Sequence, residues 1–220
     1  MSSRLIEVTE ALLEKNDERA AANRELFRRH GVLALNIVSS PGSGKTEFIV
    51  RTLKDLHGEL RFGVIVGDCE TDNDARRLRV TSAPVTQITT GGYCHLEAGM
   101  IARAAEGLDV AALDILIIEN VGNLVCPASY DLGEDVRIAM LSVTEGEDKP
   151  LKYPVIFRSA NVVIVTKMDI AEAVGYDADT ARANLAKAAP AALRFETSAR
   201  SGAGMDVWYD WLRARVQTVR

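Results

Sequence analysis

Cysteine and histidine are scarce in this sequence, with three of each among 220 residues. So small and odd a number of cysteines gives no basis for a disulfide framework, which excludes the small disulfide-stabilised secreted proteins. Basic residues are not in excess either, because 26 Lys and Arg stand against 31 Asp and Glu, for a net charge of −5. A chain without a basic surplus is poorly suited to bind nucleic acid or an anionic membrane. We therefore expect neither kind of partner.

Long apolar runs are also missing. None approaches the roughly 18–20 residues that a membrane-spanning helix needs. The first residues, MSSRLIEVTEALLEKNDERA, have neither the apolar core nor the cleavage pattern of a signal peptide. These absences favour a cytoplasmic protein, in which thiols stay reduced and can serve as metal ligands.

What the sequence does contain is an alternation of apolar strands and amphipathic helices. Hydrophobic residues make up 47% of the chain, enough to form a full core. The strand candidates are VLALNIV, FGVIVG, VTQIT, DILIIEN, VRIAMLSVTEG, ANVVIVTKMD and LRFETSA. Such alternation predicts an α/β fold with a mostly parallel sheet and helices on both faces.

A long amphipathic helix is predicted ahead of the first strand. It covers residues 4–30, carries an interrupted apolar stripe that includes Leu12 and Phe27, and ends at Gly31. We interpret residues 1–30 as an N-terminal helical extension and residues 31–220 as one domain.

A glycine-rich turn follows the first apolar strand and leads into a helix. Its sequence, SSPGSGKT, has the context of a phosphate-binding loop, in which backbone N–H groups surround an anion at a helix N-terminus. Ser39 departs from the generic pattern, which has glycine at that position. The motif extends the predicted fold class to a P-loop NTPase three-layer fold. The predicted nucleotide-binding residues of this loop are Gly42, Ser43, Gly44, Lys45 and Thr46.

Two acidic residues follow predicted strands and are candidates for a magnesium site. Asp68 follows FGVIVG and Glu119 follows DILII, and ligands of open parallel sheets bind at the carboxyl ends of strands. With the Thr46 hydroxyl, these carboxylates suit Mg²⁺. Lys45 and Asp72 are the candidate catalytic residues, although Asp72 is equally suited to cap the next helix. No residue is identified as the base, and water organised by magnesium is the alternative.

Two later segments indicate which base is bound. Thr166, Lys167 and Asp169 end an apolar strand and look like the N-K-x-D motif by which GTPases recognise guanine, with threonine in place of asparagine. The carboxylate of Asp169 can accept hydrogen bonds from guanine N1–H and from the exocyclic amine, a pair that adenine cannot donate. Ser198 and Ala199, in ETSAR, resemble the loop whose backbone N–H supports the guanine oxygen. These patterns predict GTP and GDP as ligands.

Cys94 and His95 are adjacent in TGGYCHLEAG, and Cys126 lies seven residues after Glu119. If the strand before Cys94 neighbours the strand of Glu119, two thiolates and an imidazole meet in a ligand set suited to Ni²⁺ or Zn²⁺. A fourth position is then left for water or for a second subunit. The alternatives are ordinary packed side chains, a nucleophilic cysteine or a disulfide. Cys69 is interpreted as a packing residue.

Taken in order, VSSPGSGKT, GDCETDNDARR, GGYCHLEAG, IENVGNLVCP and TKMD resemble the hydrogenase nickel-incorporation GTPases, the HypB family of the SIMIBI class. The resemblance implies a slow GTPase, a GTP-promoted homodimer with the metal site of Cys94, His95 and Cys126 at its interface, and delivery of nickel to a [NiFe]-hydrogenase large subunit with a HypA-type metallochaperone. Residues 1–30 carry neither the cysteine-rich motif nor the histidine tract of some members. Glu47 stands where a second threonine is common.

Two other functions remain open from the sequence. One is a nickel or zinc metallochaperone or regulatory GTP-binding module with negligible hydrolysis. The other is an accessory GTPase for a different metalloenzyme, such as urease, although the Cys-Pro-His motif usual in that family is missing.

Overall fold

The computed structural model describes the backbone of residues 2–68 and 73–220, and side chains from residue 11 onward within those ranges. The strands are β1 Leu33–Ser39, β2 Phe62–Asp68, β3 Val85–Thr89, β4 Ile115–Glu119, β5 Val136–Ser142, β6 Val162–Thr166 and β7 Leu193–Glu196. The helices are α1 Ser2–Arg29, α2 Lys45–Asp55, α3 Asn73–Arg79, α4 Ala98–Ala105, α5 Lys149–Lys152, α6 Pro154–Ser159, α7 Ala178–Ala188 and α8 Met205–Val219.

The seven strands form one sheet in the order β3-β2-β4-β1-β5-β6-β7, and every neighbouring pair is parallel. β1 is therefore central, with Ile37 level with Glu119 of β4 on one side and with Ile138 of β5 on the other. Because all strands run the same way, their carboxyl ends share one edge of the sheet. The predicted α/β P-loop fold is confirmed.

Helices cover both faces of the sheet, as the buried strand sequences require. On one face Leu33, Leu35 and Ile37 of β1 pack in the cluster that contains Trp208 of α8. On the other face Ala34 packs in a cluster with side chains of α1 and α4, and the alternation follows the two-residue period of a strand. A third cluster lies beneath α6 and α7.

Helix α1 buries a different face from the one expected. Leu12 is 62% exposed, whereas the buried positions are Asn16, Ala20, Asn23 and Phe27. These four are spaced as one face of a helix, so a row containing two asparagines replaces the apolar stripe. Only Phe27 of the stripe residues named above is fully buried.

Two short helices, α5 and α6, were not predicted from the sequence. Each has a proline in its first turn. Proline suits a first helical position because its missing N–H would have no partner there. Among the helices of the described residues, none is long and apolar enough to cross a membrane.

Candidate functional site

The loop after β1 has the backbone of a phosphate-binding loop. Gly42 and Gly44 adopt φ of 75° and 96°, in the left-handed region that glycine enters without strain. Gly44 directly precedes α2, so the positive end of that helix faces the loop. Ser39, by contrast, still belongs to β1 and is outside the residues of positive φ, which explains why glycine is not needed there.

Ser39 also has a role of its own. Its hydroxyl accepts a hydrogen bond from Lys45 Nζ at 2.8 Å and contacts the hydroxyl of Ser43. Lys45 is almost fully buried, and burial lowers the pKa of its ammonium group, against the opposing effect of the Glu119 carboxylate. The lysine is thus positioned beside the loop before any phosphate is bound.

Thr46 and Glu119 are brought together by the pairing of β1 with β4. Thr46 Oγ1 donates to Glu119 Oε1 at 2.7 Å, and the other carboxylate oxygen, Oε2, is buried and makes no hydrogen bond within the described residues. Burial raises the pKa of Glu119 to about 7, although the charge of Lys45 lowers it. A buried carboxylate oxygen without a partner beside a threonine hydroxyl fits a divalent cation, whose charge would replace the proton.

Asp68 and Glu119 line one cleft of about 270 Å³. Gly42, Lys45 and Asp74 also line it. The structure therefore brings both predicted magnesium carboxylates to the phosphate loop. Asp72, the other predicted catalytic residue, and Cys69 lie outside the described residues.

A second cleft, of about 240 Å³, also borders the phosphate loop. Its lining includes Gly44, Lys167, Asp169 and Ala199, which the sequence assigns to the phosphate loop and to guanine recognition. Ser198 Oγ donates to Asp169 Oδ1 at 2.6 Å and fixes the orientation of that carboxylate. The residues assigned to guanine recognition and the phosphate loop thus form one continuous surface.

Thr166 and Lys167 connect this cleft to the phosphate loop. Thr166 Oγ1 donates to the Ser43 carbonyl at 2.6 Å, so threonine provides the short polar side chain needed at this position. Lys167 adopts φ of 61°, and its Nζ donates to the Gly42 carbonyl at 2.8 Å. Glu47 also lines this cleft and pairs with Arg77 of α3.

Cys94, His95 and Cys126 converge, with one potential ligand atom from each lying within 4.8 Å of the others. Cys94 Sγ is 2.8 Å from Cys126 Sγ and 3.9 Å from His95 Nδ1. The edge of a tetrahedron with 2.3 Å metal–sulfur bonds is about 3.8 Å, so the two sulfurs would separate by about 1 Å around a metal ion. All three residues are half-buried, which leaves one side of the cluster open.

The surroundings of the cluster favour metal binding over a packed thiol pair. Burial lowers the pKa of His95, which favours the neutral imidazole that a metal needs, and His95 Nε2 makes no hydrogen bond within the described part of the chain. The ring of Tyr130 stacks on His95 at 4.0 Å between centroids. The pKa of Cys126 is raised, mainly by its contact with the Cys94 thiol and to a smaller extent by burial. Soft sulfur and imidazole donors suit Ni²⁺ or Zn²⁺.

The route by which the cluster forms differs from the expected one. β3 does not neighbour β4, because β2 lies between them. The chain after β3 instead crosses the end of β2 above Gly67, where an added Cβ would meet the Leu96 side chain at 2.7 Å. Leu96 N then donates to Asn120 Oδ1 at 3.3 Å, beside Glu119 at the end of β4. A glycine at the end of β2 makes this crossing possible.

Several residues around the cluster were not singled out from the sequence. Asn120 Nδ2 donates to Asn36 Oδ1 at 3.2 Å, and Asn123 Nδ2 donates to the Cys94 carbonyl at 3.2 Å. Asn120 carried a usable signal, since it is polar and follows a strand-end carboxylate. Tyr130 carried none, because its contact with His95 depends on the path of two loops.

Residues 33–195 match the family described as CobW/HypB/UreG, nucleotide-binding domain. The hydrogenase maturation factor HypB of Rhizobium leguminosarum bv. viciae is 50% identical over 209 residues, which cover 95% of this chain and 70% of the relative. The hydrogenase/urease maturation factor HypB of Helicobacter pylori is 42% identical over 216 residues, covering 96% and 88%. The crystal structure of Helicobacter pylori HypB in complex with nickel is 41% identical, with a TM-score of 0.88 over 93% of this chain and 96% of that one. This chain belongs to the CobW/HypB/UreG family and, within it, to the HypB hydrogenase maturation factors.

Proposed function

We propose that this protein is a magnesium-dependent GTPase that carries nickel during maturation of a [NiFe]-hydrogenase. One observation carries the proposal. Glu119 accepts a hydrogen bond from Thr46 of the phosphate loop, and the next residue, Asn120, accepts one from Leu96, next to His95. The nucleotide site and the thiol cluster are therefore one residue apart on a single strand end. A separate GTPase and a separate metal carrier would not need that arrangement.

The phosphate loop and the second cleft bind GTP in this proposal. Backbone N–H groups of Gly42, Ser43 and Gly44 surround the phosphates, and Lys45 balances their charge. Thr46, Asp68 and Glu119 would hold magnesium, which would neutralise negative charge on the phosphate oxygens.

The guanine ring lies in the cleft lined by Lys167, Asp169 and Ala199. Asp169, oriented by Ser198, accepts from guanine N1–H and from the exocyclic amine. Hydrolysis splits the terminal phosphoanhydride with water to give GDP and phosphate. Asp72 remains the candidate that orients the water, and we expect slow turnover because no general base is identified.

Nickel is cargo at Cys94, His95 and Cys126. The Helicobacter pylori relative has been crystallised in complex with nickel, and the donor set here suits Ni²⁺ or Zn²⁺ alike. Three protein ligands leave one coordination position for water or for a second copy of the chain. An incompletely coordinated ion is suited to transfer.

The two sites are coupled through the end of β4. Loss of the terminal phosphate changes the charge beside Glu119, and Asn120 transmits any shift of this strand end to Leu96 and to the start of the Cys126 loop. GTP and GDP then favour different metal affinities, which is a coupling between distinct sites in the thermodynamic sense.

The proposed partners are a second copy of this chain, a metal donor and a client enzyme. Tyr93 and Val125, which are 59% and 62% exposed, flank the cluster and offer an apolar contact for a GTP-promoted homodimer. A HypA-type metallochaperone and the hydrogenase large subunit are the proposed donor and acceptor in a cytoplasmic pathway. The Helicobacter pylori relative is named for both hydrogenase and urease.

Titration of Ni²⁺ and Zn²⁺ into the nucleotide-free, GDP and GTP-analogue forms tests the proposal, with GTP turnover measured in Mg²⁺ and oligomeric state recorded in parallel. We expect turnover, nickel binding and an affinity that depends on the nucleotide. Absence of turnover with intact metal binding would identify a binding module instead. If Cys126→Ala left metal affinity unchanged in both nucleotide states, the metal site and its coupling would be wrong.

A further inference from the structure

The ligands of the thiol cluster come from two segments that are far apart in the sequence. The first arm, residues 90–98, contains Cys94 and His95 and ends where α4 begins. The second arm, residues 120–133, contains Cys126. On the nucleotide side Asn120 and Asn123 connect the arms. On the opposite side, helix α1 connects them.

Asn16 of α1 contacts both arms with one amide group. Its Oδ1 accepts from Ala98 N at 2.9 Å, and its Nδ2 donates to the Asp131 carbonyl at 2.8 Å. Ala98 is three residues after His95, and Asp131 is five residues after Cys126. The side chain is 6% exposed, so water does not compete for these bonds.

Asn23 repeats the arrangement two helical turns later. Its Nδ2 donates to the Ala98 carbonyl at 2.9 Å and to the Leu132 carbonyl at 3.0 Å, and the residue is 3% exposed. Asparagine is unfavourable inside a helix, and its burial is unfavourable unless the amide is hydrogen-bonded. Two buried asparagines seven residues apart, each contacting the same two arms, therefore indicate a specific role for this helix face.

The second arm also lies directly against the backbone of α1. Gly133 has φ of 91°, and a Cβ at that position would lie 2.6 Å from the Ala20 carbonyl oxygen. Arg24 Nη2 donates to both carboxylate oxygens of Asp131, at 2.7 and 2.8 Å. These contacts fix the second arm one residue after Tyr130, whose ring stacks on His95.

We propose that α1 is a clamp on the metal site. Asn16 and Asn23 are positioning residues that hold the Cys94–His95 arm and the Cys126 arm close enough to share one metal ion. The identity of the ion rests on the proposed function, whereas the contacts between α1 and the two arms do not. The helix is thus part of the metal-carrying machinery and more than an extension of the domain.

The first test is the affinity for Ni²⁺ alone of an Asn16→Leu/Asn23→Leu variant, followed by the sulfur-to-nickel absorption band. Loss of a side chain that hydrogen-bonds directly to a metal ligand costs about 10–100-fold in metal affinity. Asn16 and Asn23 act through the backbone of the arms, so we expect a loss of about 10-fold, at the lower end of that range, with an altered band. GDP affinity should stay at the parent value, and so should the ratio of nickel affinities between the GDP and GTP-analogue forms.

Asn184→Leu is the matched control. Asn184 of α7 is half-buried and donates to the Glu147 carbonyl at 3.0 Å, and Glu147 belongs to neither arm. We expect this variant to bind nickel as the parent does. An unchanged nickel affinity in the folded α1 variant, or an equal loss in Asn184→Leu, would overturn the clamp.

A second measurement does not depend on nickel or on the double variant. In a Cys69→Ser background, oxidised glutathione converts the Cys94 and Cys126 thiols into a disulfide and is itself reduced. The equilibrium constant of this exchange gives the effective concentration of the two thiols for one another. Asn16→Ser, the milder change, should lower it several-fold, because Ser cannot reach both arms. An unchanged value would refute the clamp. If the parent binds no nickel at all, the proposed function fails, and this measurement still decides the inference.

Discussion

The phosphate loop and the thiol cluster lie at the same edge of one sheet, yet they are built in opposite ways. The phosphate loop motif is eight consecutive residues, from the last residue of β1 to the second residue of α2, and its lysine already contacts Ser39. The thiol cluster combines two arms that are joined by side-chain amides of Asn120, Asn123, Asn16 and Asn23. One site is fixed by local sequence, and the other is fixed by tertiary contacts.

This difference suits the two ligands. A nucleotide needs a preformed set of N–H donors, since reorganising a charged site on each turnover would be unfavourable. A transferable metal needs ligands that approach and separate, and ligands on two arms that are joined only by side-chain amides can do so. The sulfurs, 2.8 Å apart, must move apart by about 1 Å to take a metal with 2.3 Å bonds. The first site is therefore rigid by construction, and the second is adjustable.

Lys45→Ala gives the largest expected effect and tests whether the sites are separable. Loss of one preorganised charged donor should lower GTP turnover by about 10²–10³-fold. Nickel affinity in the nucleotide-free protein should not change, because the hydrogen bond of Lys45 goes to Ser39 and not to a residue of either arm. Turnover assays and metal titration on the same preparation check both statements. Lys54→Ala, an exposed lysine on the same helix, is the control and should behave as the parent. A comparable loss of nickel affinity in Lys45→Ala would contradict the separation.

Cys126→Ala is the reciprocal change. Removing one of three ligands should weaken nickel binding by at least about the 100-fold that outer-shell changes reach, with GTP binding retained. Because Cys126 has a raised pKa and is neutral at pH 7, binding must release its proton, so the parent affinity should rise with pH. Isothermal titration at pH 6.5, 7.5 and 8.5 measures this slope, which should be smaller in Cys126→Ala. Equal slopes in the two proteins would remove Cys126 from the ligand set.

The two regions also differ in how far the sequence predicts them. The phosphate loop and the guanine residues followed from contiguous motifs, because strand, loop and helix are adjacent in the chain. Cys94, His95 and Cys126 were named correctly as neighbours, but from an adjacency of β3 and β4 that the sheet does not have. The crossing over Gly67 needs three-dimensional information, since nothing in one sequence shows which strand lies between two others.

Helix α1 was predicted as a helix but its buried face was not. The apolar residues suggested a stripe through Leu12, whereas Asn16 and Asn23 are buried. Their partners are 75 to 115 residues away. An asparagine on a helix favours solvent on average, so only the positions of Ala98, Asp131 and Leu132 reveal why these two are inside.

Glu119→Gln tests how much the buried carboxylate destabilises the rigid site when no nucleotide or magnesium is bound. Burial raises the pKa of Glu119 to about 7 from 4.5. The folded state therefore holds a proton that the unfolded state releases, so stability from this group is present below pH 4.5 and is lost as pH rises through 7. The loss amounts to about 3 kcal/mol at most. Urea unfolding of the nucleotide-free and magnesium-free protein from pH 5 to 8 should show this decline, which Glu119→Gln should largely remove and the exposed Glu18→Gln should keep. A parallel decline in Glu119→Gln would assign it to another group.

Asn120 lies where the rigid and the adjustable regions meet. Two variants distinguish a change in nickel affinity itself from a change in its dependence on the nucleotide. Asn123→Ala removes the bond to the Cys94 carbonyl and should weaken nickel binding equally in the GDP and GTP-analogue forms. Asn120→Ala removes the bond to Leu96 beside Glu119, so the ratio of the two affinities should fall toward one, from an initial coupling of about 5–150-fold. Nickel titration in both nucleotide states measures the ratio directly. If Asn123→Ala reduced the ratio and Asn120→Ala preserved it, coupling would run through the cysteine loop rather than through the end of β4. The two regions would then communicate by the arm that moves, and not by the strand that they share.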